Sequence, residues 1–96
     1  MYDYTGWIVR STAGHDKGAL LCVTGVDQQA CRLLVCDGKR RRAARPKAKK
    51  LGHLEMVCRG TFEHPAIRKL ENGLTVSDRE LRRALAAFRD TDQGGN

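Results

Sequence analysis

No apolar run in these 96 residues approaches the roughly 20 needed for a helix to cross a bilayer. The opening residues, Met1-Tyr2-Asp3-Tyr4-Thr5-Gly6-Trp7, place an acid where a secretion signal carries positive charge. Together these features predict a cytoplasmic protein. Aromatic residues are few, with one Trp, two Tyr and two Phe, and RNA-stacking surfaces usually present several. Trp7 is therefore read as a side or rim residue of the core. Cys22, Cys31, Cys36 and Cys58 contain no Cys-x-x-Cys pair, and His53 and His64 lack ligand spacing with each other or with cysteine, so no metal site is expected. Without a secretory context, an even cysteine count does not imply disulfides. Adjacent His15 and Asp16 lack a second catalytic group to work with, so no enzyme activity or cofactor is expected.

What the sequence does have is a concentration of positive charge. Between Lys39 and Lys50 lie eight basic residues and no acidic one, in the run Lys39-Arg40-Arg41-Arg42-Ala43-Ala44-Arg45-Pro46-Lys47-Ala48-Lys49-Lys50. The chain carries 18 basic and 11 acidic residues; removing those eight leaves 10 basic against 11 acidic, a net of −1. All of the +7 excess belongs to one segment. Such a field favours a polyanion, nucleic acid or an anionic membrane. The membrane alternative lacks a second anchor, because neither a lipidation signal nor an amphipathic helix adjoins the run.

The spacing of apolar residues and turn formers predicts five short strands followed by a helix. Trp7 to Arg10 is the first strand, Thr12 to Gly18 a polar loop, and Ala19 to Val26 the second strand. Asp27 to Ala30 turns into a third strand, Cys31 to Cys36. There Arg32 marks the solvent side, which directs Cys31 inward with Leu33 and Val35 and Cys36 outward. Asp37-Gly38 suits a tight hairpin turn, and the basic run leaves it as a fourth strand that Pro46 restricts to an edge or a loop. Leu51 to Arg59 is the fifth strand, with Leu54, Met56 and Cys58 on its inner face. The cysteines are thus expected to be structural thiols. Five short strands must curl to bury an apolar face, which predicts a mainly β fold, a small half-open barrel over residues 1–60.

Residues 61–75 are expected to be an irregular connector, with one short turn after Pro65. Residues 76–96 form a helix and a frayed end at Gly94-Gly95-Asn96. Ser77 and Glu80 make a capping box, Val76 and Leu81 a hydrophobic staple, and Leu81, Ala84, Leu85 and Phe88 one apolar stripe. A helix this short needs a cover for that stripe, from the barrel or from a partner.

Arginine and lysine bind phosphates without reading sequence, and a cationic segment tethered at both ends loses less entropy on binding than a free tail. Lacking a helix with plausible major-groove side chains, the chain suits RNA better than B-DNA. Two blocks carry a family resemblance. The first is Gly6-Trp7-Ile8-Val9-Arg10-Ser11-Thr12-Ala13-Gly14-His15-Asp16-Lys17-Gly18; the second is Val35-Cys36-Asp37-Gly38-Lys39-Arg40-Arg41 with Pro46-Lys47-Ala48-Lys49-Lys50 and His53-Leu54. In this order they resemble the KOW motif of small bacterial KOW-domain RNA-binding proteins, which are similar to large-subunit ribosomal protein fourteen of archaea and eukaryotes. The likeness covers about residues 5 to 58, and the capped helix resembles the tail of the bacterial group.

The resemblance implies an SH3-like barrel that binds ribosomal RNA of the large subunit, with ribosomal proteins as possible neighbours. It implies turn roles for Gly14 and Gly18, loop contacts from His15 and Lys17, and backbone contacts from Lys39, Arg41, Lys47 and Lys49. The full candidate RNA-binding set adds Arg10, Arg40, Arg42, Arg45, Lys50 and His53. His15 stands where the family usually has arginine, which implies a weaker or pH-sensitive contact there. The competing expectations are a transcription or translation regulator that grips protein through the KOW barrel and the helix stripe, and a general RNA chaperone.

Overall fold

Val9 and Ile8 are adjacent on one strand and both fully buried, which requires the sheet to be covered on both faces. The computed structural model describes residues 1–58 and 61–94. Its elements are β1 (Ile8–Ser11), β2 (Leu20–Asp27), β3 (Arg32–Cys36), β4 (Lys47–Lys50), β5 (Leu54–Cys58), α1 (Pro65–Glu71) and α2 (Asp78–Gly94). Arg59, expected to end the fifth strand, lies outside the described residues, and of the end Gly94-Gly95-Asn96, expected to fray, Gly94 is the last residue of α2 and the other two lie outside the described residues. The strands form one antiparallel sheet in the order β4-β3-β2-β1-β5. Its two edges are consecutive in the chain, joined by a 3-10 turn at Leu51–His53 in place of the extended chain expected there.

Val9, Leu21, Val23, Leu33, Val35 and Leu54 make one buried cluster, with Tyr4, Trp7, Val26 and Met56 at its margin. Among the described residues no helical one belongs to it, so the curvature of the sheet itself encloses this face. On the opposite face Ile8, Leu20, Cys22, Cys36 and Cys58 pack against Ile67 and Leu70 of α1 and Leu81, Leu85 and Phe88 of α2. This second face reverses the expected orientation of the cysteines. Cys36 is fully buried, whereas Cys31 is exposed in the β2–β3 turn at φ +53°. The parity was correct for a sheet with one wet face, but helices cover the side that Arg32 marked as solvent.

Cys58 also differs from expectation. β1 pairs Ile8 with Cys58 and Val9 with Met56, a register shift that leaves an extra residue on β5. A bulge of this kind moves Cys58 to the helical face while Leu54 and Met56 stay with the other cluster. A second irregularity, between Val23 and Gly25 of β2, keeps Val26 on the same side as Val23.

The expected irregular connector contains a two-turn helix. Its N-terminus is capped by His64, whose Nδ1 accepts from the Ala66 amide at 3.2 Å, and Pro65 fills the first helical position, where no amide is needed. Ala66, Ile67 and Leu70 are buried. In α2 the capping box is formed in both directions: Ser77 Oγ accepts from Glu80 N at 3.1 Å and Glu80 Oε1 from Ser77 N at 3.0 Å. Leu81, Ala84, Leu85 and Phe88 are all buried, and Val76 packs against the same cluster. The cover for the stripe is the chain's own sheet.

Candidate nucleic-acid interface

The basic run is mostly loop. β4 begins directly after Pro46 and is an edge strand, so Asp37 to Pro46 bridge β3 and β4 as a ten-residue connection and not as the tight two-residue turn expected at Asp37-Gly38. Like charges over such a length ordinarily leave a chain disordered. Here polar contacts hold it. Asp37 Oδ1 accepts from the Lys39 and Arg41 amides at 2.8 and 3.0 Å, and the Arg41 carbonyl accepts from the Asp37 and Gly38 amides at 2.9 and 3.1 Å. The Arg42 carbonyl accepts from Arg45 N at 2.9 Å and from the Cys36 thiol at 3.5 Å.

The loop is also fastened to the first turn of α2. Asp78 Oδ1 accepts from the Ala43 amide at 2.7 Å, and Arg82 Nη1 donates to the Gly38 carbonyl at 2.7 Å. Gly38 has φ +80°, and a Cβ there would be driven into the Asp78 carbonyl. Glycine is therefore required by conformation and by close approach together. Neither Asp78 nor Arg82 stood out in the sequence as a site residue, because partners 35 and 44 positions away leave no local signature.

A third anchor comes from the loop between β1 and β2. Gly14 and Gly18 take φ of +77° and +90°; Gly14 opens a 3-10 turn at Gly14–Asp16 and Gly18 follows it. Asp16 is only 4% exposed, and its Oδ2 lies 3.0 Å from Arg41 Nε and 3.4 Å from Lys49 Nζ. Burial pushes its carboxyl pKa up, but the hydrogen bond and charge of Arg41, joined by Lys49, outweigh that and hold it below the usual carboxylate range. His15 remains exposed beside Asp16, whose carboxylate is engaged by two cations.

The candidate residues thus divide. Lys39, Arg40, Arg42, Arg45, Lys47 and Lys50 are exposed, as are His15, Lys17 and His53. Lys49 is 8% exposed and bound to Asp16, and Arg41 is half-buried against the same carboxylate. Both, named above among the phosphate contacts, brace the loop through Asp16 in this structure. Arg10 is a strut too, donating to the Gly18 carbonyl at 3.1 Å with Glu55 at 3.9 Å. His15, Asp16, Arg40 and Arg41 line one open concavity of about 320 Å³; Arg40, Arg41, Arg42, Ala44 and Arg45 line another of about 330 Å³. These bring the β1–β2 loop beside the basic loop. Lys50, opposite Arg32 on β3, projects to the other face of β4 from Lys47 and Lys49. Among the described residues, no three His, Cys, Asp or Glu side chains are grouped to hold a metal ion, and no helix is long and apolar enough to cross a membrane.

A scan against protein-family models finds no match to this chain, and a search of curated proteins finds none either.

Proposed function

We propose that this chain is a non-enzymatic RNA-binding protein of the SH3-like, KOW-containing kind, and that its ligand is ribosomal RNA of the large subunit. The observation that carries this assignment is the ordered basic loop: Lys39, Arg40, Arg42 and Arg45 are exposed on a backbone held by Asp37, Asp78 and the Asp16 triad. Guanidinium and ammonium groups so presented neutralise phosphates, and a held backbone loses less entropy on binding than a free arm. The strand order supports the barrel reading, since a single 3-10 turn links both edge strands and one sheet face is buried without a helix. The resemblance between residues 5 and 58 supplies the ribosomal part of the proposal.

A regulator that grips protein through the KOW barrel and the helix stripe has less support in its helix part, because Leu81, Ala84, Leu85 and Phe88 are used inside the fold. The test is cross-linking in cells followed by sequencing of the attached RNA, paired with titration of the purified chain at several potassium concentrations. Enrichment of large-subunit ribosomal RNA is expected. So is a log–log salt slope of about −4 to −5, from about six neutralised phosphates and the coefficients for single- and double-stranded nucleic acid. A slope near zero would remove phosphate neutralisation as the driving force, and cross-links spread evenly over cellular RNA would favour a general chaperone.

A further inference from the structure

A polyanion site normally gains from the removal of a nearby acid, because the acid repels the ligand. Asp78 breaks that expectation by its geometry. It sits at the start of α2 and accepts the Ala43 amide at 2.7 Å, while its own backbone carbonyl lies against the Cα of Gly38. One turn further along the same helix, Arg82 closes on the Gly38 carbonyl. Two points of the cationic loop, Gly38 and Ala43, are thereby fixed to a helix whose other side is packed into the core through Leu81 and Leu85.

We propose that Asp78 is a positioning residue of the nucleic-acid site, an acid whose hydrogen bond raises affinity for RNA with a fixed backbone geometry. The inference rests on the RNA-binding reading above and adds the residue that holds the site in its binding arrangement. Arg40, Arg42 and Arg45 repel one another, so releasing the Ala43 amide lets the segment spread over many arrangements. Apparent affinity falls by the fraction of molecules still holding the competent one. A folded RNA, whose phosphates are already spaced, senses that fraction. A flexible strand adapts to whichever arrangement it meets. The site is thus matched to folded RNA, and the match resides in the loop's anchorage to α2.

Two variants separate the hydrogen bond from the charge. Asp78→Ala removes both; Asp78→Asn removes the charge and keeps an acceptor oxygen. The full-length chain and each variant are titrated with a folded fragment of large-subunit ribosomal RNA and with poly(U), and exchange of the Ala43 amide is followed in the free protein. Asp78→Ala is expected to lose protection at Ala43 and to bind the folded fragment about 3- to 10-fold more weakly, the usual worth of one hydrogen bond. Its salt slope should stay unchanged and its affinity for poly(U) equal or higher. Asp78→Asn should retain protection and bind both RNAs at least as well as the parent.

Asp78→Glu, which leaves the charge untouched but displaces the carboxylate by one methylene from the Ala43 amide, should reproduce the selective loss and keeps the test available if Asp78→Ala does not fold. Equal affinity of Asp78→Ala and Asp78→Asn for the folded fragment would overturn the inference, as would equal losses on both RNAs. If the parent chain bound neither RNA with a steep salt dependence, the RNA-binding proposal itself would fall, an outcome visible before any variant is made.

Discussion

The segment Lys39 to Lys50 and the helix α2 both carry many cations, yet they use them in opposite ways. The segment has eight basic residues and no acid; α2 sets Arg79, Arg82, Arg83 and Arg89 against Asp78, Glu80, Asp90 and Asp92. By sequence the charges of α2 sum to zero, and opposite charges so close along one helix lie within about one Debye length, about 8 Å at physiological salt, of one another. Charge on the segment is uncancelled at its surface, where the acids that touch the loop lie beneath it or at its base. Arginine content alone does not define a binding surface; the placement of compensating acids does.

The largest expected effect tests that contrast directly. Replacing Lys39, Arg40, Arg42, Arg45, Lys47 and Lys50 with glutamine should weaken RNA binding by on the order of 10³-fold or more near physiological salt and flatten the salt slope toward zero. Replacing Arg79, Arg83 and Arg89 should change affinity only a few-fold, and equal losses in isotherms of the two sets would erase the distinction. The next comparison is between an internal and an external acid. Asp16→Asn leaves Lys49 buried without its counter-charge and should lower unfolding free energy by about 3 kcal/mol. Glu80→Gln, which breaks the solvent-facing pair with Lys69 at 2.7 Å, should cost a small fraction of that in the same denaturant titrations.

Acid sharpens the Asp16 result. Its carboxyl is held below the ordinary value near 3.9, so its stabilisation is complete above about pH 4 and is lost as pH falls through the lower folded-state value. Asp16→Asn should remove that part of the acid dependence, measured as the shift in midpoint between pH 5 and pH 2. Leu85→Ala, at 1% exposure against the sheet, should cost about 2–5 kcal/mol, whereas Ser77→Ala at the surface end of the same helix should cost about 0.5–2 kcal/mol. A Leu85→Ala change no larger than that of Ser77→Ala would mean that the stripe is not held against the sheet.

Features that repeat over neighbouring residues were legible in the sequence. The Ser77–Glu80 cap, the Leu81–Phe88 stripe and the approximate limits of four strands follow from periods of 3.6 and 2 and from turn residues. Pro46 restricted the basic segment to an edge or a loop, and it lies in the loop immediately before the edge strand β4. Features set by distant partners were not. Cys36 reads as outward until one knows that α2 lies over it, and Cys58 changes face through a bulge that nothing in Leu54 to Cys58 announces. Lys49 looks like its exposed neighbours Lys47 and Lys50, and only Asp16, 33 positions earlier, draws it inside. Within the candidate site, the sequence identified the cations and missed the acids that arrange them. α1 was missed because seven residues are too few for a clear period, although Pro65 lies where a helix begins.

Because β4 is the last strand on its side of the sheet, its outer row of amides and carbonyls has no neighbour among the described strands. Such a row invites a second chain to add itself to the sheet. A copy of this protein approaching edge to edge would align Lys47 and Lys50 with the same residues of its twin, four ammonium groups along strands spaced about 4.8 Å apart. Mutual repulsion opposes that pairing, so these exposed lysines guard the edge against self-association into extended sheets.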